Sequence, residues 1–259
     1  MTDTNDILTH TSNRILTVTL NRDSKMNSWT DSMYQKWGDI LDAAASNTNI
    51  ACVVLCGSGR CFSAGQDVKE LSEYPVGATG APSFNKMFRS HVQFPKPLIA
   101  ACHGIAVGWG ATLLATCDLV IMSSSAKIRV PFTSLGLAPE GGASRTFPDQ
   151  LTRQEAHWLL YSSEWMEAAD CLRVGLAFKV VADMDLMLVV GQIARKIAAQ
   201  PIVSLMATKR LIVNGKVNEI LAAHDREQEA YANGLIGGKA NVEALAALRE
   251  KRKADFSKL

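Results

Sequence analysis

The chain has 259 residues, 47% of them hydrophobic, which excludes a disordered or collagen-like protein. At ~150 residues per domain it holds one large domain or two small ones. Its 27 basic and 25 acidic side chains nearly cancel, which argues against a general nucleic-acid binder, since that class carries a stronger basic excess.

The N-terminal MTDTNDILTH has neither the basic and apolar regions of a secretory signal nor an arginine-rich presequence. Residues 15–20, Ile-Leu-Thr-Val-Thr-Leu, alternate apolar and hydroxyl side chains with the period of a strand. From about Ser28, the spacing of Trp29, Met33, Trp37, Ile40, Leu41 and Ala44 predicts a helix, with Ser28 and Asp31 as its polar start. Residues 51–56 form a continuous apolar run closed by Gly57-Ser58-Gly59, the pattern of a strand buried on both faces; 98–102 and 119–122 repeat it.

Residues 98–117 carry no Asp, Glu, Lys or Arg and approach the ~20 residues of a membrane span. Gly104, Gly108 and Gly110 interrupt the run, which reads as a buried strand followed by a buried helix, so no span is expected. Strands alternating with helices imply an α/β fold.

From about Gln200 the pattern turns helical. Pro201 suits a first turn, and Ile202, Leu205, Met206, Lys209 and Ile212 follow at helical spacing. Two further helices are expected over 220–232 and 241–253, the last ending in Arg249, Lys251, Arg252 and Lys253, a solvated end suited to the helix dipole. The expected organisation is a core of residues 1–199 and a helical subdomain of 200–259. Trp29, Trp37 and Trp158 sit at helical spacings and read as core.

Familiar chemical motifs are missing. The cysteines at 52, 56, 61, 102, 117 and 171 contain no Cys-x-x-Cys pair and read as buried thiols of a reducing compartment, with zinc a remote second reading and no metal site expected. There is no Gly-x-Ser-x-Gly elbow and no Walker loop, and Gly108-Trp109-Gly110 lacks the third glycine of a dinucleotide fingerprint. What remains are three glycine-containing turns, at 61–71, 103–112 and 130–144. Free N–H groups at such turns can hold an anion or a developing oxyanion, although a glycine at a strand–helix junction by itself serves the turn.

Taken in order, Phe62-Ser63-Ala64-Gly65-Gln66-Asp67, then Gly104-Ile105-Ala106-Val107-Gly108-Trp109-Gly110 and Cys117-Asp118-Leu119, resemble the enoyl-CoA hydratase/isomerase (crotonase) superfamily. Asn21-Arg22 and Lys25-Met26-Asn27 match its early strand-exit motif, and the likeness runs from about Ile15 to the C-terminus. The resemblance implies a spiral of β-β-α turns in two roughly perpendicular sheets, capped by C-terminal helices that mediate assembly into a homotrimer or hexamer. It implies an acyl-CoA site whose thioester oxygen lies between the backbone N–H groups of Gln66 and Trp109. Lys25, Met26, Ala64, Gly65, Asp67 and Val68 match positions around the CoA nucleotide and pantetheine; coenzyme A enters as part of the substrate, and no separate cofactor is expected. Read from the residues alone, Lys25 is a solvated lysine and Asp67 a helix-start acid. Asp118 matches a structural acid, and His103 reads as a loop or packed histidine.

The third turn bears on the reaction. Hydratases of this superfamily use two glutamates, and the matching positions here hold Thr112 and Phe132, neither of which can act as a carboxylate base. Glu140 instead stands where the Δ3,Δ2-enoyl-CoA isomerase branch carries its single catalytic glutamate; Pro131-Phe132, Leu135-Gly136, Pro139-Glu140-Gly141 and Phe147-Pro148 resemble the peroxisomal-type isomerases. Without the flanking turns Glu140 is simply an acid starting a helix after Pro139. The alternatives are other acyl-CoA chemistry on the same scaffold, hydration or thioester hydrolysis, and a silent acyl-CoA- or protein-binding module. The final Ser257-Lys258-Leu259 equals a peroxisomal address, whereas the compact N-terminus points to a bacterial cytoplasm. The resemblance implies that Phe256 and Lys258 reach a neighbouring subunit's CoA; read from the residues alone they belong to a frayed tail.

Overall fold

A computed structural model describes residues 5–259. Strands β1 (Ile7–Ser12) and β2 (Ile15–Leu20) form an antiparallel hairpin, closed by Asn13 and Arg14 at φ +50° and +64°. Two central residues of positive φ match the right-handed strand twist, which is why this tight connection works. β1 buries only Ile7 of its six residues, so it offers no alternating pattern for a sequence reading to find.

Helix α1 (Asp31–Ser46) buries Met33, Tyr34, Trp37, Leu41 and Ala44 at three- and four-residue steps. Its cap is Thr30, whose side chain accepts the Met33 N–H, and not Ser28. The expected helix start is therefore corrected by three residues: Trp29 lies before the helix and pairs as a short parallel bridge with Gln66, which fixes it in extended backbone. Strand β3 (Cys52–Gly57) is followed by a short helix α2 (Val68–Leu71) and by α3 (Phe84–Val92).

The uncharged run at 98–117 divides into β4 (Leu98–Cys102), β5 (Ile105–Val107), helix α4 (Trp109–Thr112) and a 3-10 turn. The next round is β6 (Leu119–Ser123), β7 (Lys127–Arg129), α5 (Ala143–Gln150) and α6 (Arg153–Ser162). After it come β8 (Trp165–Glu167), α7 (Ala168–Arg173), β9 (Lys179–Val181) and α8 (Leu186–Ala198). The chain closes with α9 (Ile202–Val213), α10 (Lys216–Ala230), a π-turn, and α11 (Lys239–Glu250).

A six-stranded sheet runs β1-β2-β3-β4-β6-β9, parallel after the first pair, and a three-stranded sheet runs β5-β7-β8. Two successive rounds, β4-β5-α4 and β6-β7-α5, each place one strand in the large sheet, one short strand in the small one, then a helix. The large sheet is covered on both faces. Val53 and Leu55 face the main core, while Cys52, Val54 and Cys56 face a second layer of Leu186, Val190, Ala194 and Ala198 from α8. That is the physical reason the strand at 51–56 is apolar at every position.

Trp29 and Trp37 are buried, but Trp158 is 65% exposed, which corrects its assignment to the core. Helix α6 turns Ala156, Leu159 and Leu160 inward, and residue 158 falls on the opposite side. All six cysteines are free thiols, five buried and Cys117 partly so. Among the described residues no single helix is long and apolar enough to cross a membrane.

Candidate active site

The three glycine turns become neighbours because they are strand exits of successive rounds. Ser63 bridges in parallel to Ala106, with Ser63 N–H on Ile105 O at 3.1 Å and Val107 N–H on Ser63 O at 2.9 Å. β5 in turn pairs with β7, and Gly108 N–H donates to Arg129 O at 2.9 Å. Side-by-side strands of equal register end side by side. The backbone after Ser63, after Val107 and after Arg129 therefore opens onto one cavity of about 410 Å³, lined by Ala64, Gln66, Val68, Trp109, Phe132 and Glu140 among others.

The first turn needs glycine. Gly65 sits at φ +83°, and a Cβ there would lie 2.5 Å from Val107 O. Its N–H donates to Ser63 Oγ, which donates in turn to Asn27 O. Gln66 is the unpaired member of a parallel bridge: Trp29 N–H bonds Gly65 O and Asp67 N–H bonds Trp29 O, so the Gln66 N–H points the other way. Trp109 opens α4, where first-turn N–H groups lack helical acceptors. Among the described residues neither N–H has a hydrogen-bond acceptor, and both residues line the cavity. The Trp109 indole is buried edge-on against Phe84, Phe88, Tyr34 and Trp29, which holds its backbone in place. Two fixed N–H groups on one cavity wall can receive a carbonyl oxygen as negative charge grows on it.

The early motif reaches this wall through its backbone. Ala64 N–H donates to Met26 O at 2.8 Å, and Met26 and Asn27 both adopt positive φ to present their carbonyls. The Asn27 amide donates to Ser58 O and Cys61 O. Lys25 and Met26 are exposed beside the cavity and do not line it; Ala64, Gln66, Val68 and Trp109 do, and Gly65 is buried behind them. Asp67 is occupied structurally, accepting the Lys69 N–H as cap of α2 and pairing with Arg22 at 3.2 Å. Burial works to raise its pKa, but the Arg22 and backbone hydrogen bonds outweigh it and hold the carboxyl below its usual range. Asp118 likewise ties structure together, accepting from Leu98 N–H and Lys209.

Glu140 is the one carboxylate among the described residues lining the cavity. Its side chain has no hydrogen-bond donor among those residues, and burial, then the negative Glu227, push its pKa up to about 8. Thr112 and Phe132, at the positions of the hydratase glutamates, are both buried and put no charge in the cavity.

The Glu140 loop is held by residues that sequence reasoning missed. Tyr231 Oη donates to Ala138 O at 2.7 Å, and the Asn241 amide donates to Leu135 O at 2.8 Å. Gly136, at φ +67°, passes so close to Asn241 that a Cβ would lie 2.6 Å from its nitrogen. Glu227 accepts Gly142 N–H and Ser144 N–H. The one signal was periodicity: Leu221, His224, Gln228 and Tyr231 follow a buried helical stripe, where polar residues stand at positions that ordinarily hold apolar ones.

The comparisons with known proteins agree with this geometry. The enoyl-CoA hydratase/isomerase family model matches residues 10–258. The chain is 32% identical to the 1,2-epoxyphenylacetyl-CoA isomerase of Escherichia coli over 85% of its length and 86% of that protein. It is 31% identical to the human enoyl-CoA delta isomerase 2 over 71% of its length, which spans 48% of that protein. Among solved structures, the enoyl-CoA hydratase/isomerase of Pseudoalteromonas atlantica superposes with a TM-score of 0.91 at 30% identity, covering 97% of this chain and all of the other. With its two-sheet spiral and paired glycine turns, the chain belongs to the enoyl-CoA hydratase/isomerase family and has the crotonase fold.

Proposed function

We propose that the protein is a Δ3,Δ2-enoyl-CoA isomerase, moving a 3-enoyl-CoA double bond to the 2-trans position. The observation that carries this reading is that Glu140 is the single acid among the described residues lining a cavity that two free backbone N–H groups also line, with Thr112 and Phe132 where a hydratase needs carboxylates. In the first step the C2–H bond breaks; the proton goes to Glu140 and the electron pair spreads over a dienolate ending on the thioester oxygen. The Gln66 and Trp109 N–H groups carry that charge. In the second step Glu140 returns the proton to C4 and the double bond settles between C2 and C3, so one group serves as base and then as acid. A carboxyl whose pKa is about 8 suits both halves, because it holds a proton more firmly than an exposed glutamate and releases it near neutrality.

The test is conjugation of a 3-enoyl-CoA followed by absorbance, with the product mass measured. Glu140→Gln is expected to lower the rate by about 10²–10⁴-fold. Unchanged product mass is expected; a gain of one water would assign hydration instead, and wild-type turnover in Glu140→Gln would remove the base.

The same chain is proposed to assemble as a homotrimer or hexamer. Helix α9 is apolar yet buries no residue within the chain, and Val203, Leu211 and Ile212 are 77%, 77% and 69% exposed. Light scattering is expected to give a multiple of three of the 28.0 kDa chain.

A further inference from the structure

Glu227 is a buried acid in the frame of the site, and the proton shuttle just described leaves it without a role. Helix α10 sets its carboxylate against the first turn of α5, where Oε2 accepts Gly142 N–H at 2.7 Å and Oε1 accepts Ser144 N–H at 2.8 Å. Only 5% of the residue is exposed. Burial raises its pKa to about 7, against the pull of the Ser144 and Gly142 hydrogen bonds. Glu140 lies two residues before Gly142, so a single turn carries both the Glu227 anchor and the shuttle carboxyl.

The two acids differ in one respect that orders their ionisation. Glu227 has two N–H donors and the positive end of a helix, all of which favour its charged form. Glu140 has no donor among the described residues, and each charge on Glu227 makes a second charge nearby more costly. Glu227 therefore ionises first and Glu140 keeps its proton to higher pH.

The surroundings do not cancel this effect. Among the described residues no Lys or Arg forms an ion pair with Glu227. On α10 itself, Arg226 pulls weakly toward ionisation, and Asp225 is paired with Arg89 of α3. On α5, Arg145 is held by Asp149 and Glu219. His224 is buried with both ring nitrogens unpartnered, and burial lowers its pKa to about 4, so it is neutral wherever the two acids titrate. Tyr231, beyond α10, is raised well above its usual range by burial and is neutral too.

We propose that Glu227 is a positioning residue that pins the Glu140 turn through Gly142 and Ser144 and, by its own negative charge, makes Glu140 the stronger base. This rests on reading Glu140 as the shuttle, but its test does not depend on turnover. Glutamates labelled with 13C at the side-chain carboxyl are titrated by NMR, the Glu140 signal being the one lost in Glu140→Gln. In Glu227→Gln the Glu140 midpoint is expected to fall by about one pH unit, tenfold in proton affinity. Glu227→Asp keeps the charge but shortens the reach: the midpoint is expected to stay near that of the wild type while kcat drops. The acid limb of kcat/KM is expected to move with the NMR midpoint in each variant.

A midpoint unmoved in Glu227→Gln would overturn the proposal, whatever happens to kcat, because a purely structural clamp leaves it in place. A shift in Glu227→Asp as large as in Glu227→Gln would overturn it as well, and if the Gln variant does not fold the equally neutral Glu227→Met takes its place, an unmoved midpoint there overturning the proposal in the same way. Turnover surviving in Glu140→Gln would fail the isomerase reading and leave the NMR result standing on its own.

Discussion

The two walls of the cavity are held by different means. The amide wall is backbone throughout: Gln66 and Trp109 stand at the exits of paired strands, and the ladder through Ser63, Ala106 and Ile128 sets their separation. No group that titrates takes part in it. The acid wall is a loop, 132–142, whose only regular element is a 3-10 turn at Thr133–Leu135, and it owes its shape to Asn241, Tyr231 and Glu227 reaching over from the C-terminal helices. An oxyanion site needs fixed donors and no proton chemistry, which a sheet supplies. A base that serves two carbons needs poor hydration and a little reach, which a loop inside a cage of buried polar contacts supplies.

Errors in the amide wall should therefore be more damaging than the loss of any one contact that holds the acid wall. Gly65→Ala would force a Cβ to 2.5 Å from Val107 O at φ +83°, so the two turns must separate. The expected loss in kcat/KM is about 10²–10³-fold, the scale of losing one oxyanion donor. Gly108→Ala sharpens the comparison. Gly108 has φ +53° and ψ −123°, but a Cβ there meets nothing within 4 Å, so only backbone strain of about 1–3 kcal/mol applies. Its kcat/KM should fall less than that of Gly65→Ala. Equal losses in steady-state assays would mean that contact between the turns does not set the donors.

That contrast also explains what was legible beforehand. Strand exits leave marks in a sequence, because an apolar or alternating run must stop and a left-handed backbone demands glycine; hence β2, β3, β4 and β6, whereas Gly65, Gln66 and Trp109 were singled out only through the family resemblance of their turns. β1 escaped because five of its six residues face out. The start of α1 was misplaced because Ser28 and Thr30 are both good caps, and only the pairing of Trp29 with Gln66 chooses between them. Glu227 hid in Asp225-Arg226-Glu227-Gln228-Glu229, a stretch that reads as a solvated helix face. Its partners, Gly142 and Ser144, are more than 80 residues away and contribute backbone only, so nothing local marks the contact. Trp158 failed for a related reason: period alone cannot say which side of a helix faces inward.

A third prediction separates the walls by pH. Folding raises the Glu140 pKa from 4.5 to about 8, so between those values the folded chain binds more protons than the unfolded one. The stability this carboxyl contributes is complete at acid pH and is lost as pH rises through about 8. Buried His91 and His224 act oppositely. Burial lowers them from 6.5 to about 3 and about 4, so their contribution is complete above 6.5 and is lost as pH falls toward those values. Glu140→Gln should therefore melt several degrees higher than the wild type at pH 9 and alike at pH 5, while being inactive at both. Matching melting curves at pH 9 would show that the carboxyl is well solvated when folded.

The smallest effect expected is at Tyr231. Removing its hydroxyl in Tyr231→Phe leaves the ring packed and takes away one donor to Ala138 O, two residues from Glu140. Losing a buried hydrogen bond of this kind costs about 0.5–1.5 kcal/mol of stability. Two anchors of the loop remain, Asn241 on Leu135 and Glu227 on Gly142, so kcat should fall by only a few-fold. KM for the acyl-CoA should hold, because the Gln66 and Trp109 amides are untouched. The combination with Asn241→Ala is the informative step. Anchors sharing one loop are coupled, so the double variant should lose more activity than the product of the single losses. Simple multiplication would mean that each contact fixes its own residue, and that the acid wall is as segmented as the amide wall is continuous.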